Sequence, residues 1–190
     1  MDAVQKLCQE RDWLLLVVDE VQTGVGRTGK LFAFQNYGIL PDVASFAKGI
    51  AGGLPMSGIM ANEKCRSVLG PGSHATTFGA NPVCAAAGLL VQETLTDGFL
   101  EKVQAKGAYL RGAIEALDLP CFGKTRGMGL MIGIAVSDGY NKSEIANKLI
   151  ENGLLVLTAG PGIRLLPPLT ITKAEMDQGM AIMEKTLNNC

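Results

Sequence analysis

The residues best able to do chemistry fall at four places along the 190-residue chain. An apolar run at 14–18 ends on Asp19, and Lys48 follows a second strand-like run and precedes Gly49. Thr76 and Thr77 stand just ahead of Gly79-Ala80-Asn81-Pro82, and Arg164 lies in an apolar setting between Gly162 and Leu165-Leu166-Pro167-Pro168. These types offer an amine that can condense with a carbonyl, an acid that can face a cation, donors for an anion ahead of a helix start, and a planar fork that can grip a carboxylate. Each also has a plainer reading by itself: a solvated lysine, a carboxylate emerging into water, a bland threonine turn, a structural salt bridge.

Other patterns compete for attention and fail on context. Gly24-Val25-Gly26-Arg27-Thr28-Gly29 satisfies G-x-G-x-x-G, and with Lys30 it nearly satisfies G-x-x-x-x-G-K-[ST]. A dinucleotide loop needs its strand to run straight into the first glycine, but residues 19–23 intervene. In the nucleotide-hydrolysis reading Leu31 stands where a hydroxyl must meet magnesium, and the strand ending in Asp19-Glu20 precedes the loop it should follow. These glycines therefore read as a flexible loop needing positive φ. His74 is the single histidine, which excludes a multi-histidine metal site, and no G-x-S-x-G elbow accompanies it. Cys8, Cys65, Cys84, Cys121 and Cys190 form no C-x-x-C pair and read as reduced thiols of a cytoplasmic protein.

The chemistry-bearing residues belong to longer runs. LLLVVDEVQTGVGRTGKLFAFQNYGILPDVASFAKGIAGGLPMSGIMA at 14–61 resembles the cofactor-lysine region of the class III pyridoxal-phosphate-dependent aminotransferases, with its D-E-V-Q-T-G-x-G-R-T-G-K and P-D-x-x-x-x-A-K-G-x-x-x-G-x-P runs. SHATTFGANPVCAAAG at 73–88 is similar to that family's T-H-G-S/T-T-F-G-G-N-P-L-A motif, and TAGPGIRLLPPLTI at 158–171 to its N-x-x-G-x-x-x-R-F-x-P-P-L segment. The likeness spans the whole chain and points to the carboxy-terminal half of a member of the acetylornithine/ornithine group. Ala75 and Ala80 stand where the family usually has glycine, which puts the local backbone angles in question.

The resemblance implies the roles. Lys48 would carry pyridoxal 5′-phosphate covalently and then move a proton to and from the substrate, for which its neutral form must be favoured. Asp19 would meet the protonated pyridine nitrogen, the cation that would offset the cost of desolvating a carboxylate at an apolar strand end. Gln22 would bond the ring's phenolic oxygen, and Thr77 would bind the cofactor phosphate across a homodimer interface. Thr76 and Arg164 would contact substrate, Arg164 through the α-carboxylate. Glu20 points the other way on a strand period and is left structural, and neither Arg27 nor Arg126 is taken as a primary contact. The implied reaction moves an amino group from N-acetylornithine to 2-oxoglutarate. Ornithine, succinylornithine and 4-aminobutyrate are alternative donors, and an inactive folding or dimerisation module is the alternative outside enzymology. A full family member is about twice as long. The serine/glycine-rich phosphate loop, the aromatic stacked on the pyridine and the glutamate-bearing stretch that gates the substrate arginine are all missing here, so this chain alone is expected to bind the cofactor weakly and turn over little.

These residues need elements to place them. Helix over 3–11, with Val4 and Leu7 on one face, leads into the run at 14–18, which reads as a strand buried on both faces. Further strands are expected at 42–47 and 57–61. Asn81-Pro82 reads as an N-cap with proline at the first helical position, opening a helix over 83–94, and another follows over 99–117. Gly123, Gly127 and Gly129 then precede a strand at 130–136. Helix at 143–152, short strands at 154–157 and 163–166, and a helix at 173–187 complete the pattern. The fold class is α/β: residues 1–96 as part of a large cofactor-binding domain with a mostly parallel sheet (fold type I), and 97–190 as a smaller α+β domain. With 17 basic and 18 acidic residues, net charge −1 and no like-charge block, nothing calls for nucleic acid or an anionic membrane. The longest apolar stretch, 128–136, is far short of a membrane span, and the polar start is no signal peptide.

Overall fold

The computed structural model describes residues 1–188. It divides into two compact units between Leu100 and Glu101, a break that falls inside a helix. No single described helix is long and apolar enough to cross a membrane.

The first unit is built on a three-stranded mixed sheet: β1 (Val17–Asp19), β2 (Val43–Phe46) and β3 (Gly58–Ala61), in that spatial order. β1 and β2 run parallel, with Asp19 opposite Ser45, and β2 and β3 run antiparallel, with Ser45 opposite Ile59. Helix α1 (Asp2–Gln9) precedes the sheet, and α2 (Pro82–Thr94) closes the unit.

The run at 14–18 is not buried on both faces. Leu14, Leu16 and Val18 alternate into a cluster with Cys8, Phe34 and Ile39, whereas Leu15 and Val17 take the other side, where Val17 is 62% exposed. A strand's side-chain period of two sends alternate residues to opposite faces, and only one face here carries a core layer. In α1, Val4 and Leu7 lie exposed and Cys8 makes the packing contact. Asp42 ties this layer together: its carboxylate accepts from the Leu16 amide at 2.8 Å and from the Asn62 side-chain amide at 2.8 Å.

Helix α2 starts as its sequence requires. Asn81 accepts from the amides of Val83 and Cys84, at 3.0 and 3.3 Å, and Pro82 fills the first helical position. Its inner face, Ala87 and Val91 with Leu95 just beyond, packs on a second cluster of Val25, Ile50 and Ala51. Gly88 sets the approach, since a Cβ there would lie 3.3 Å from the Ile50 carbonyl oxygen.

From Glu101 onward the second unit carries a four-stranded antiparallel sheet in the order β4 (Phe122–Met128), β5 (Met131–Val136), β7 (Gly162–Leu165), β6 (Leu157–Ala159). The later part of α3 (Asp97–Ala116) joins α4 (Lys142–Glu151) and α5 (Lys173–Leu187) as its helices. Ile132, Ile134 and Ile163 of the sheet, and Val103, Leu149, Met183 and Leu187 of the helices, are fully buried and form its core. α5 begins with a capping box, Thr172 and Glu175 each bonding the other's backbone amide. Two expectations shift. The glycine-rich stretch is strand through Met128, not merely the lead into one, and the strand placed at 154–157 forms at Leu157–Ala159.

Candidate active site

Strand β1 delivers Asp19 to the open face of the first sheet, so this carboxylate is exposed and not buried at the strand end as the apolar run before it had suggested. One oxygen, Oδ1, accepts both the Val21 amide at 2.9 Å and the Ser45 hydroxyl at 3.0 Å. Oδ2 accepts no hydrogen bond among the described residues. The Val21 amide first, then the Ser45 hydroxyl, hold the Asp19 carboxyl below the ordinary carboxylate range against an opposing desolvation, and the Lys48 charge adds least. Asp19 is thus a fixed anion with one oxygen free, within electrostatic reach of Lys48.

Lys48 opens a 3-10 turn, Lys48–Ala51, directly after β2. Its backbone is left-handed, at φ +51°, a strained conformation for a residue with a Cβ. The turn is fastened by Ile50 and Ala51, both buried in the cluster under α2. Val25, itself left-handed at φ +55°, comes close from the other side: its Cγ1 lies 3.5 Å from where a Gly49 Cβ would be. The Lys48 amine is exposed and makes no hydrogen bond or ion pair among the described residues.

The loop between these two residues is packed, not flexible. Gly24, Val25, Gly26, Thr28 and Gly29 are buried, and Gly26 and Gly29 have φ of 82° and 81°. A Cβ at Gly24 would come within 2.8 Å of the Glu20 carbonyl oxygen. Glu20, 3% exposed, faces inward as the strand period requires. Its carboxylate accepts from the Thr23 hydroxyl at 2.7 Å and from the amides of Ala33 and Phe34 at 3.0 and 2.8 Å, closing the loop. Gln22 is half-buried in the turn after Asp19, and burial pushes the Arg27 guanidinium down.

Thr76 and Thr77 lie in an exposed loop ahead of α2. The helix amides at 83 and 84 are taken by Asn81, so any anion held here meets the loop and not the free helix start. Of the two alanines standing for glycine, Ala80 is left-handed at φ +55° and Ala75 is not, so the substitution strains the backbone at one position only.

In the second unit Arg164 is half-buried on β7 and lines an apolar cavity of about 670 Å³ with Leu155, Leu157, Leu166, Pro167 and Met176. Arg126, on β4, is exposed and lies across Gly133, its Cγ 3.4 Å from where that residue's Cβ would be.

Sequence reasoning missed Ser45. Its hydroxyl stands opposite Asp19 only through the register of β1 on β2, which had to be known first. The left-handed backbone at Val25 and Lys48 left no trace in residue type.

A sheet with a parallel pair thus presents an anchored carboxylate at one strand end and an unengaged amine just past the next strand. The aminotransferase class III family model matches residues 1–187, and the chain belongs to that family. Among curated proteins it is 45% identical over 190 residues to an acetylornithine aminotransferase of Caldanaerobacter subterraneus, covering 98% of this chain and 48% of that protein. Solved structures superpose closely. Acetylornithine aminotransferase from Elizabethkingia anophelis matches all of this chain and 51% of its own, with a TM-score of 0.88 at 33% identity. Ornithine δ-aminotransferase from Plasmodium falciparum matches 99% of this chain and 50% of its own, with a TM-score of 0.88 at 36% identity. The chain thus spans about half the length of the relatives it matches. The family depends on pyridoxal 5′-phosphate, and the residues present fit that group: Oδ2 of Asp19 is an unengaged acceptor for a ring N–H, and Lys48 an unengaged amine.

Proposed function

We propose that this chain carries the cofactor lysine and ring-facing acid of an aminotransferase that moves an amino group from N-acetylornithine to 2-oxoglutarate. The observation that carries the reading is the pairing of a free Lys48 amine with an Asp19 carboxylate locked through one oxygen. Relatives named acetylornithine aminotransferase support that donor. Neighbours named ornithine aminotransferase keep ornithine as the second candidate.

When bound, pyridoxal 5′-phosphate supplies an electron-drawing ring at the bond to be broken. Asp19 would face that ring nitrogen with Oδ2 as an anionic acceptor, which would favour its protonated form. Lys48 would hold the cofactor through its aldehyde group and would serve as the amine that moves a proton at the substrate's amine-bearing carbon. Gly49 leaves the approach to that amine open on one side. Gln22 is assigned to the ring's phenolic oxygen, and Thr77 to the phosphate of a partner subunit in a homodimer. Thr76 contacts substrate. In the second unit, Arg164 is assigned to the substrate carboxylate through two parallel N–H bonds.

A second reading rests on a different observation. Val17, Ile59 and Phe78 leave wide apolar surface in water, as a module built for folding or pairing and not for turnover would.

Reductive trapping separates the two. The chain is incubated with pyridoxal 5′-phosphate and borohydride, and the modified lysine is mapped. The enzyme reading expects label concentrated on Lys48, lost in Lys48→Ala. Label spread evenly over exposed lysines such as Lys30 and Lys64 would sink it. With the remaining half of a family member supplied in trans, glutamate formation from N-acetylornithine should require Lys48. Equal rates with Lys48→Ala remove the lysine from the chemistry.

A further inference from the structure

We infer that Ser45 is a positioning residue that locks the Asp19 carboxylate so that Oδ2 alone is aimed at the cofactor's ring nitrogen, an inference that rests on the reading of Asp19 and Lys48 above. Three features of the first sheet carry it. Ser45 is the register partner of Asp19 on the neighbouring parallel strand, so their side chains share one face of the sheet. Its Oγ donates to Oδ1 at 3.0 Å, the oxygen that also takes the Val21 amide at 2.9 Å. Two donors converging on one oxygen from different directions, one ahead along the chain and one across the sheet, fix the carboxylate's rotation about its last torsion. The Val21 amide alone would restrain it less.

The consequence reaches Lys48 through covalent geometry. Ser45 and Lys48 belong to one short stretch, the strand and the turn that continues it, so the residue that orients the acid is tied to the residue that bears the amine. A shift of β2 along β1 would move both together. The residue opposite Asp19 is therefore restricted to a side chain with a short hydroxyl: serine or threonine reaches Oδ1, whereas alanine or valine does not.

The test uses four forms of the 190-residue chain: wild type, Ser45→Ala, Ser45→Val and Ser45→Thr. Valine and threonine have the same shape and differ in the hydroxyl, so their comparison holds even if alanine loosens the sheet. The Asp19 carboxyl is titrated by carbon-detected NMR, and affinity for pyridoxal 5′-phosphate is measured by fluorescence. The inference expects the Asp19 midpoint to rise in the alanine and valine forms and to return in threonine. Cofactor affinity should fall by about fivefold in the first two and recover in the third, as suits the loss of one hydrogen bond to a charged acceptor at an exposed site. A midpoint that does not move, or one that moves while cofactor affinity stays the same, overturns it. If wild type shows no binding that depends on Lys48, the cofactor reading falls first and the inference with it. Lys48-dependent binding that ignores Ser45 removes the inference and leaves that reading standing.

Discussion

At the scale of single residues, the backbone is strained at the lysine proposed to hold the cofactor. Lys48 sits at φ +51°, where an L-residue pays about 1–2 kcal/mol relative to the right-handed region. Nothing in a free surface lysine requires that conformation, and the turn it opens is held by Ile50 and Ala51 in the buried cluster. Lys48→Gly should therefore stabilise the fold by about 0.5–1 kcal/mol, because glycine takes this conformation at no steric cost but loses more chain entropy on folding. Lys48→Ala keeps the Cβ and should leave stability near wild type. Both remove the amine and should abolish cofactor trapping. Urea denaturation of the three forms decides it: a glycine variant no more stable than alanine would show that the backbone there is unstrained. The left-handed backbone was invisible in the sequence, where lysine followed by glycine reads the same in any turn. Asp19, by contrast, was legible as the end of an apolar run. Its exposure was not, because the run gives no sign of which face carries a layer. Ser45 lay between the two and was passed over, since its value depends on register and not on neighbours in the chain.

At the scale of elements, close approach overrides propensity. Gly107 lies in the middle of α3, where alanine would ordinarily be favoured by up to about 1 kcal/mol. Here a Cβ would fall 2.0 Å from the Gly129 carbonyl oxygen, in the turn between β4 and β5. Gly107→Ala should push the helix off that turn and destabilise the chain by about 1–3 kcal/mol, read from thermal denaturation. A stabilised variant would mean that helix and hairpin do not meet. Asp42 makes the corresponding contact in the first unit. The Leu16 amide first, then the Asn62 amide and the Lys64 charge, hold its carboxyl below the ordinary value of 3.8, against partial desolvation. The folded state thus binds the proton less readily than the unfolded chain. Its contribution is complete above pH 3.8 and is lost as pH falls through the lower folded value. Asp42→Asn should cost about 0.5–1 kcal/mol at neutral pH, discounted for solvent screening, and should flatten the acid limb of the stability curve. An acid limb identical to wild type would take Asp42 out of that account. The same elements show what sequence pattern could carry. Caps made α2 and α5 legible: Asn81-Pro82 and the Thr172/Glu175 box mark their starts by side-chain chemistry alone. β4 was hidden because Phe122–Met128 is glycine-rich, mostly exposed and bulged in register, so neither alternation nor apolarity signals it. β6 was displaced because the apolar residues at 154–156 precede the strand that their hydrophobicity suggested.

At the scale of the whole chain, the apolar surface left in water sets the behaviour in solution. On the open face of the first sheet, Val17 is 62% exposed and Ile59 59%, two strands apart with Val43 and Ser45 between them. Phe78, 81% exposed, Val83 and Leu90 add a further set on the loop and helix that follow. Isolated exposed apolar residues are normal, but a face whose rows run across three strands is a surface that normally meets another. The chain carries net charge −1, so little electrostatic repulsion opposes association. The 190-residue chain should therefore bind an apolar dye and show an average mass that rises with concentration in sedimentation velocity. Val17→Lys, on the open sheet face, should lower both signals without lowering the melting temperature, because the outward position has no core contact to lose. Phe78→Ser should add to the effect if its loop belongs to the same sticky surface, and the two should be independent if it does not. A chain that stays monomeric throughout, or a Val17→Lys form that associates as strongly as wild type, would show that this face is tolerated in water as it stands. Either result would also remove the observation behind the pairing-module reading, leaving the Asp19–Lys48 site as the feature of this fold that calls for a function.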